Sequence, residues 1–201
     1  MQRRKNKNIS HQGNLSFITD ISLRRKIENS IETTSFLYLK RNEKSTSSGF
    51  AKEIRRAEIL YAASIIEAVL IHLFKRRGES MSKIDYKDVV ILPSTYQSGS
   101  HPVVVARQVQ IPKLDRELTL DSLLELFSKN GTIKRRLKEK IDTTRKVRNT
   151  FHLAKSRKGI KCDSISVNSA YDAVVEIISL AKKLLAKPKI SRTHNSNPTS
   201  S

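Results

Sequence analysis

The run Arg145-Lys146-Val147-Arg148-Asn149-Thr150-Phe151-His152 brings together the residue types that handle phosphate chemistry. On a helix, at 100° per residue, Arg145, Arg148, Asn149 and His152 fall within about 100° of one another, with Arg148 and His152 one turn apart. A guanidinium placed there grips a phosphate in a directed, bidentate way, and an imidazole gives or takes a proton near neutral pH. Arg145, Lys146, Lys155, Arg157 and Lys158 surround the pair and are expected to contact a phosphate backbone. Residues 133–161 contain 12 Lys and Arg against two acids, Glu139 and Asp142, a net charge of +10. Solubility alone is better served by mixed charges, so a bias of this size points to an anionic partner. The bland alternative is a solvated face. In it Arg148 pairs with a carboxylate, for which Glu67 is the candidate, and Asn149 and His152 satisfy loop backbone groups. Glu67 is read as an orienting or structural counter-ion ahead of a general base, because an unpaired buried carboxylate is expensive.

The whole chain, 201 residues, carries +20 from 39 Lys and Arg against 19 Asp and Glu. Such a field raises the encounter rate with a polyanion, most often nucleic acid. A lone Cys162 excludes an internal disulfide framework, and no Cys/His cluster has zinc spacing, so neither a metal nor a cofactor is expected. The basic start is followed by no apolar segment, so it does not read as a secretory signal. The most apolar stretch, Ile59 to Phe74, is interrupted by Ser64, Glu67 and His72 and reads as a buried core helix with no membrane partner. A cytoplasmic location follows from these readings.

Residues 1–16 read as a disordered basic arm and 188–201 as a disordered tail, leaving one domain over 17–187. A first helix runs from a cap at Asp20 or Ser22 to about Lys40, with Leu23, Ile27, Ile31, Thr34 and Tyr38 on one face. A second spans about Phe50 to Arg77 and stops at Gly78. Residues 80–118 form an insertion; the β-branched runs Val89–Leu92 and Val103–Val105 predict a small hairpin or an ordered loop. Thr119 caps a short third helix with Leu120, Leu123, Leu124 and Phe127 inward. Thr132 is expected to cap a fourth, with Ile133, Leu137, Ile141, Thr144, Val147 and Phe151 inward, ending near Lys155. A fifth runs from about Val167 to before Pro188. The expected fold is all-α, an up-and-down bundle of four to five helices with a small loop or β-hairpin insertion.

Three segments together resemble the HEPN superfamily of helical bundles. They are the long helix with Arg56-Ala57-Glu58-Ile59-Leu60-Tyr61-Ala62-Ala63-Ser64-Ile65-Ile66-Glu67-Ala68, the Leu-rich helix Thr119 to Phe127, and Arg145 to His152 near the end of the next helix. The likeness covers residues 20–187 without the insertion. The resemblance implies metal-independent RNA cleavage in a cleft shared by two protomers, hence a homodimer and, for toxin-type members, an antitoxin partner. Carried over, Arg148 would stabilise the charge on the scissile phosphate. His152 would move the proton of the 2′-hydroxyl or of the leaving oxygen, and Asn149 would orient one of them. The family's active motif normally has a longer gap between Arg and His than the three residues separating Arg148 from His152. Six residues separate Arg145 from His152, but Lys146 follows it where Asn, Asp or His is usual. Two function classes therefore stand: an RNA-binding protein acting as an endoribonuclease of toxin or defence type, and a non-catalytic helical module for dimerisation or nucleic-acid binding.

Overall fold

In a computed structural model of the chain, residues 15–92, 103–151 and 162–186 are described. Among them are five helices: α1 (Ile21–Arg41), α2 (Ser48–Arg77), α3 (Leu120–Lys129), α4 (Arg135–Asn149) and α5 (Ser164–Leu185). Two strands, β1 (Ser82–Ile91) and β2 (Val104–Pro112), form an antiparallel hairpin between α2 and α3. The expectation of an all-α fold is corrected to that extent. The strands also reach well beyond the β-branched runs that signal them. Ten- and nine-residue strands hold because cross-strand pairing continues through polar residues such as Tyr86↔Gln108 and Lys87↔Arg107.

Caps set most helix limits. The Asp20 carboxylate accepts from Leu23 N, Ser47 Oγ from Phe50 N, and the Asp163 carboxylate from Ser166 N. At α3, Thr119 and Ser122 form a reciprocal capping box. Gly78 ends α2 with φ 63°, a left-handed conformation that glycine adopts without strain.

Two limits of α4 differ from expectation. Its N-cap is Lys134, with no side-chain cap. Thr132 instead receives Arg77 Nη1 on its hydroxyl at 3.1 Å, and burial of Ile133, whose N donates to Phe127 O, holds the turn before the helix begins. At the other end α4 stops at Asn149. There Thr150 N bonds to Val147 O and Phe151 N to Arg148 O, tightening the last turn, while Thr150 Oγ1 bonds back to Val147 O.

α2 lies at the centre, against α1, α3, α4 and α5. Ile59, Ile66, Val69, Leu70 and Leu73 of α2 pack with Leu123 and Phe127 of α3, Leu137, Ile141 and Val147 of α4, and Val167, Val174 and Ile177 of α5. By length and composition α2 could cross a membrane, and 61% of its most apolar stretch is buried inside the protein. Leu15, within the stretch expected to be an arm, is 3% exposed and joins this core with Ile18.

Candidate functional site

Glu67 is where three helices meet. It sits on the α2 face turned to α3 and α4. Its Oε1 accepts from Leu120 N, the first residue of α3, at 3.1 Å, and its Oε2 accepts from Arg148 Nη1 of α4 at 3.2 Å. A carboxylate at a helix N-terminus satisfies a donor that the helix itself leaves open and complements the helix dipole. The Glu67 carboxylate thus ties Arg148 of α4 to the N-terminus of α3.

Arg145, one turn earlier, is held more completely. Its Nε and Nη2 donate to Asp142 Oδ1 at 3.1 and 2.6 Å, and its Nη1 lies 3.1 Å from Asp121 Oδ1 in the first turn of α3. Lys146 Nζ lies 2.7 Å from the other oxygen of Asp142. Burial pushes the Asp142 carboxyl up, but the bonds from Lys146 and Arg145 outweigh it and hold the group below the usual aspartate range. Lys140 is likewise tied to Glu176 at 2.6 Å and to Asp172 at 3.6 Å on α5. The half-buried cations of α4 thus carry acidic partners. Of the exposed ones at its start, Arg135 pairs with Glu139 at 2.9 Å, whereas the side chains of Lys134, Arg136 and Lys138 make no ion pair or hydrogen bond among the described residues.

Arg148 is the exception within the expected site. It gives one N–H to Glu67 and, with 35% of its side chain exposed, keeps its other donors without a partner among the described residues. Asn149 beside it is exposed. His152, Lys155, Arg157 and Lys158 lie outside the described residues, and so does any helical phase between Arg148 and His152.

The structure also brings in residues that sequence reasoning leaves aside. Arg56 of α2 stands over the Phe151 ring at 5.8 Å from its centroid, with Nη1 bonded to Glu53. Arg55 Nε donates to Cys162 O at 3.2 Å, joining α2 to the start of α5. One guanidinium of α2, Arg56, therefore adjoins the C-terminal end of α4, and another, Arg55, the start of α5. Burial pushes the Cys162 thiol up despite Arg55 and Arg56, which fits an inert thiol rather than a nucleophile.

Away from this face, Glu58 of α2 is fully buried. Tyr171 OH of α5 donates to its Oε1 at 2.6 Å, and Arg41 Nε of α1 lies 3.1 Å from its Oε2, misaligned for a hydrogen bond. Arg41 also stacks on Tyr38 at 5.3 Å. Burial pushes the Glu58 carboxyl up, opposed by the Tyr171 bond and by Arg41. The signal for this cluster is present in the chain: Glu58 stands four residues after Ile54 and four before Ala62, both on the buried face. No group of three His, Cys, Asp or Glu with metal-binding placement occurs among the described residues.

What fold and site define together is a class only: a five-helix protein with an inserted hairpin and a basic fourth helix whose inner cations are anchored by acids. No family model, curated protein or solved structure matches the chain.

Proposed function

We propose that this chain is a cytoplasmic RNA-binding protein of HEPN-like design, in which α4 meets the phosphate backbone. The observation that carries the reading is the division of labour along that helix. Lys140 and Arg145 are anchored to neighbouring helices, whereas Lys134, Arg136 and Lys138 stand exposed and unpaired among the described residues, and Arg148 keeps open donors beside its bond to Glu67. Exposed cations supply the counterion release that drives binding to a polyanion, and the open guanidinium donors of Arg148 suit a directed grip on a phosphate.

In the catalytic form of this reading the protein is a metal-independent endoribonuclease of toxin or defence type. Two protomers build the cleft, and an antitoxin is the regulatory partner. His152 takes the proton of the RNA 2′-hydroxyl as that oxygen attacks phosphorus. Arg148 stabilises the charge gathering on the phosphate, the bond to the 5′-oxygen breaks as that oxygen takes a proton from water, and Asn149 orients the reacting oxygens. A 2′,3′-cyclic phosphate and a 5′-hydroxyl result. The second reading, RNA binding or dimerisation without cleavage, is favoured by one observation. Arg145, the arginine with the longer gap to His152, has its donors on Asp142 and Asp121.

One assay separates them. Labelled RNA is incubated in EDTA with the wild-type protein, Arg148→Ala and His152→Ala. Cleavage by the wild type alone, leaving cyclic phosphate ends, establishes the enzyme. Retardation without cleavage, weakening steeply with salt, establishes the binder. If neither occurs, the RNA reading falls.

A further inference from the structure

The hairpin is the element that the helical core does not explain. The extended partner of each strand is the other strand, and no helix packs broadly against either of them. A two-stranded ribbon alone is at best marginally stable in water; it needs a third strand or a cover. Its register shows how its exposed apolar residues divide between the two faces. Ile84 pairs with Gln110 and Tyr86 with Gln108 on one side, and after the bulge at Asp88 and Val89 the pair Ile91↔Val104 returns to the same side. Ile84, Tyr86, Ile91 and Val104 on this face are 50–66% exposed, and on the other face the pair Val90↔Val105 beyond the bulge is 55% and 53% exposed. Exposed apolar area concentrated in this way marks an interaction surface.

The sequence narrows what can occupy it. Residues 1–14, 93–102, 152–161 and 187–201 offer only Met1, Ile9, Tyr96, Leu153, Ile160 and Ile190 as large apolar side chains, scattered singly among polar and basic residues. Within a chain of +20, the two strands hold three cations (Lys83, Lys87, Arg107) and two acids (Asp85, Asp88), so they present no field for a polyanion. They do present a pattern that is complementary to itself. Lys83, which also bonds to Glu117, alternates in sign with Asp85 and Lys87 along one side of β1, within the regular stretch before the bulge. If two β1 strands run antiparallel about a two-fold axis at Ile84, Lys83 of each copy faces Asp85 of the other. Ile84 then meets Ile84, and Ser82 meets Tyr86. Shifting the axis to Asp85 would oppose Asp85 to Asp85 and Lys83 to Lys87, a repulsive register. An axis at Tyr86 would run the pairing into the bulge.

We propose that β1 pairs with β1 of a second copy of this chain, antiparallel about a two-fold axis at Ile84, giving a four-stranded sheet ordered β2-β1-β1-β2. Such an interface is isologous and closes on itself, and it joins the two exposed apolar faces into one continuous surface. It does not depend on RNA binding by α4.

The test uses the full chain. Sedimentation equilibrium is expected to give twice the chain mass of 22.9 kDa for the wild type. It is expected to give the single-chain mass for Asp85→Lys, with helical circular dichroism unchanged. In a Cys162→Ser background, Ile84→Cys is expected to form a covalent dimer on mild oxidation, since the axis sets the two residues within disulfide reach, while Gln110→Cys on the outer strand does not. A wild type of single-chain mass overturns the proposal, as does an Asp85→Lys variant that stays dimeric or an Ile84→Cys variant that fails to cross-link. A persistent dimer in Asp85→Lys that still retards RNA would place the contact elsewhere and leave the RNA reading intact.

Discussion

Arg148 and Glu67, 81 residues apart in the chain, are joined by a 3.2 Å hydrogen bond that fixes α4 to α2, while the other Glu67 oxygen holds the first backbone N–H of α3. One carboxylate thereby orients two helices, and the guanidinium proposed to meet RNA is steadied by an acid that also lowers its net charge.

That dual role predicts opposite effects on stability and binding. Glu67→Ala is expected to lower stability by about 2 kcal/mol, from a missing charged hydrogen bond and an opened α3 terminus in a partly exposed setting. Thermal unfolding followed by circular dichroism would register this as several degrees in Tm. The same variant is expected to bind RNA more tightly at equal salt, because Arg148 no longer shares its charge. An unchanged or weaker affinity would count against Arg148 as a phosphate contact.

The unpaired and anchored cations of α4 are expected to separate in their salt dependence. Replacing Lys134, Arg136 or Lys138 by Ala lowers the slope of log affinity against log salt by roughly 1 for each phosphate that is no longer neutralised. Arg145→Ala leaves that slope unchanged and costs about 1 kcal/mol of stability, since its partners Asp121 and Asp142 are left facing each other. Filter binding across a salt series measures the first quantity and urea unfolding the second.

The buried Glu58 predicts a pH dependence of definite sign. Burial raises its carboxyl above the ordinary glutamate value of 4.5, so the folded state holds a proton more tightly than the unfolded state. The stability this gives is fully present below pH 4.5 and disappears as pH climbs through the raised value. Glu58→Gln, which keeps an acceptor for Tyr171 without the ionisation, is expected to flatten that fall. Glu58→Ala strands Arg41 and costs about 3–5 kcal/mol. Urea midpoints from acid to neutral pH for the wild type and both variants decide the matter.

His72 acts in the opposite direction. It is 5% exposed, with Nε2 3.3 Å from Phe17 O, and burial lowers its value below the ordinary 6.5. Its contribution is present above pH 6.5 and disappears as pH falls through the depressed value, because the unfolded imidazole takes a proton first. His72→Gln should therefore lose less stability than the wild type on acidification from neutral pH, measured by the same urea midpoints.

Legibility from sequence follows locality. The caps at Asp20 and Thr119 and the stop at Gly78 are readable because each rests on a side chain or a glycine within a few residues of the helix end. The inward residues of α4 from Leu137 to Val147 are readable because their spacing keeps one face. The start of α4 is not, since a Thr132 cap is pre-empted by Arg77 from a helix 55 residues away. The early end of α4 is hidden for a different reason: Thr150 competes with the helix through its own hydroxyl, a choice that spacing alone does not reveal. Of the site, the Arg148–Glu67 pairing can be anticipated from the cost of leaving a carboxylate alone. The saturation of Arg145 by Asp121 cannot, because it depends on how α3 folds back against α4.

The two ends of the hairpin meet. Lys113 N donates to Met81 O at 2.8 Å, so the chain leaves the helices and returns to them at nearly one point. Replacing residues 82–112 by a tight turn between Met81 and Lys113 is therefore expected to leave the connections of the core in place. The same closeness lets a segment of different length stand at this junction without any change of course in the helices beneath it.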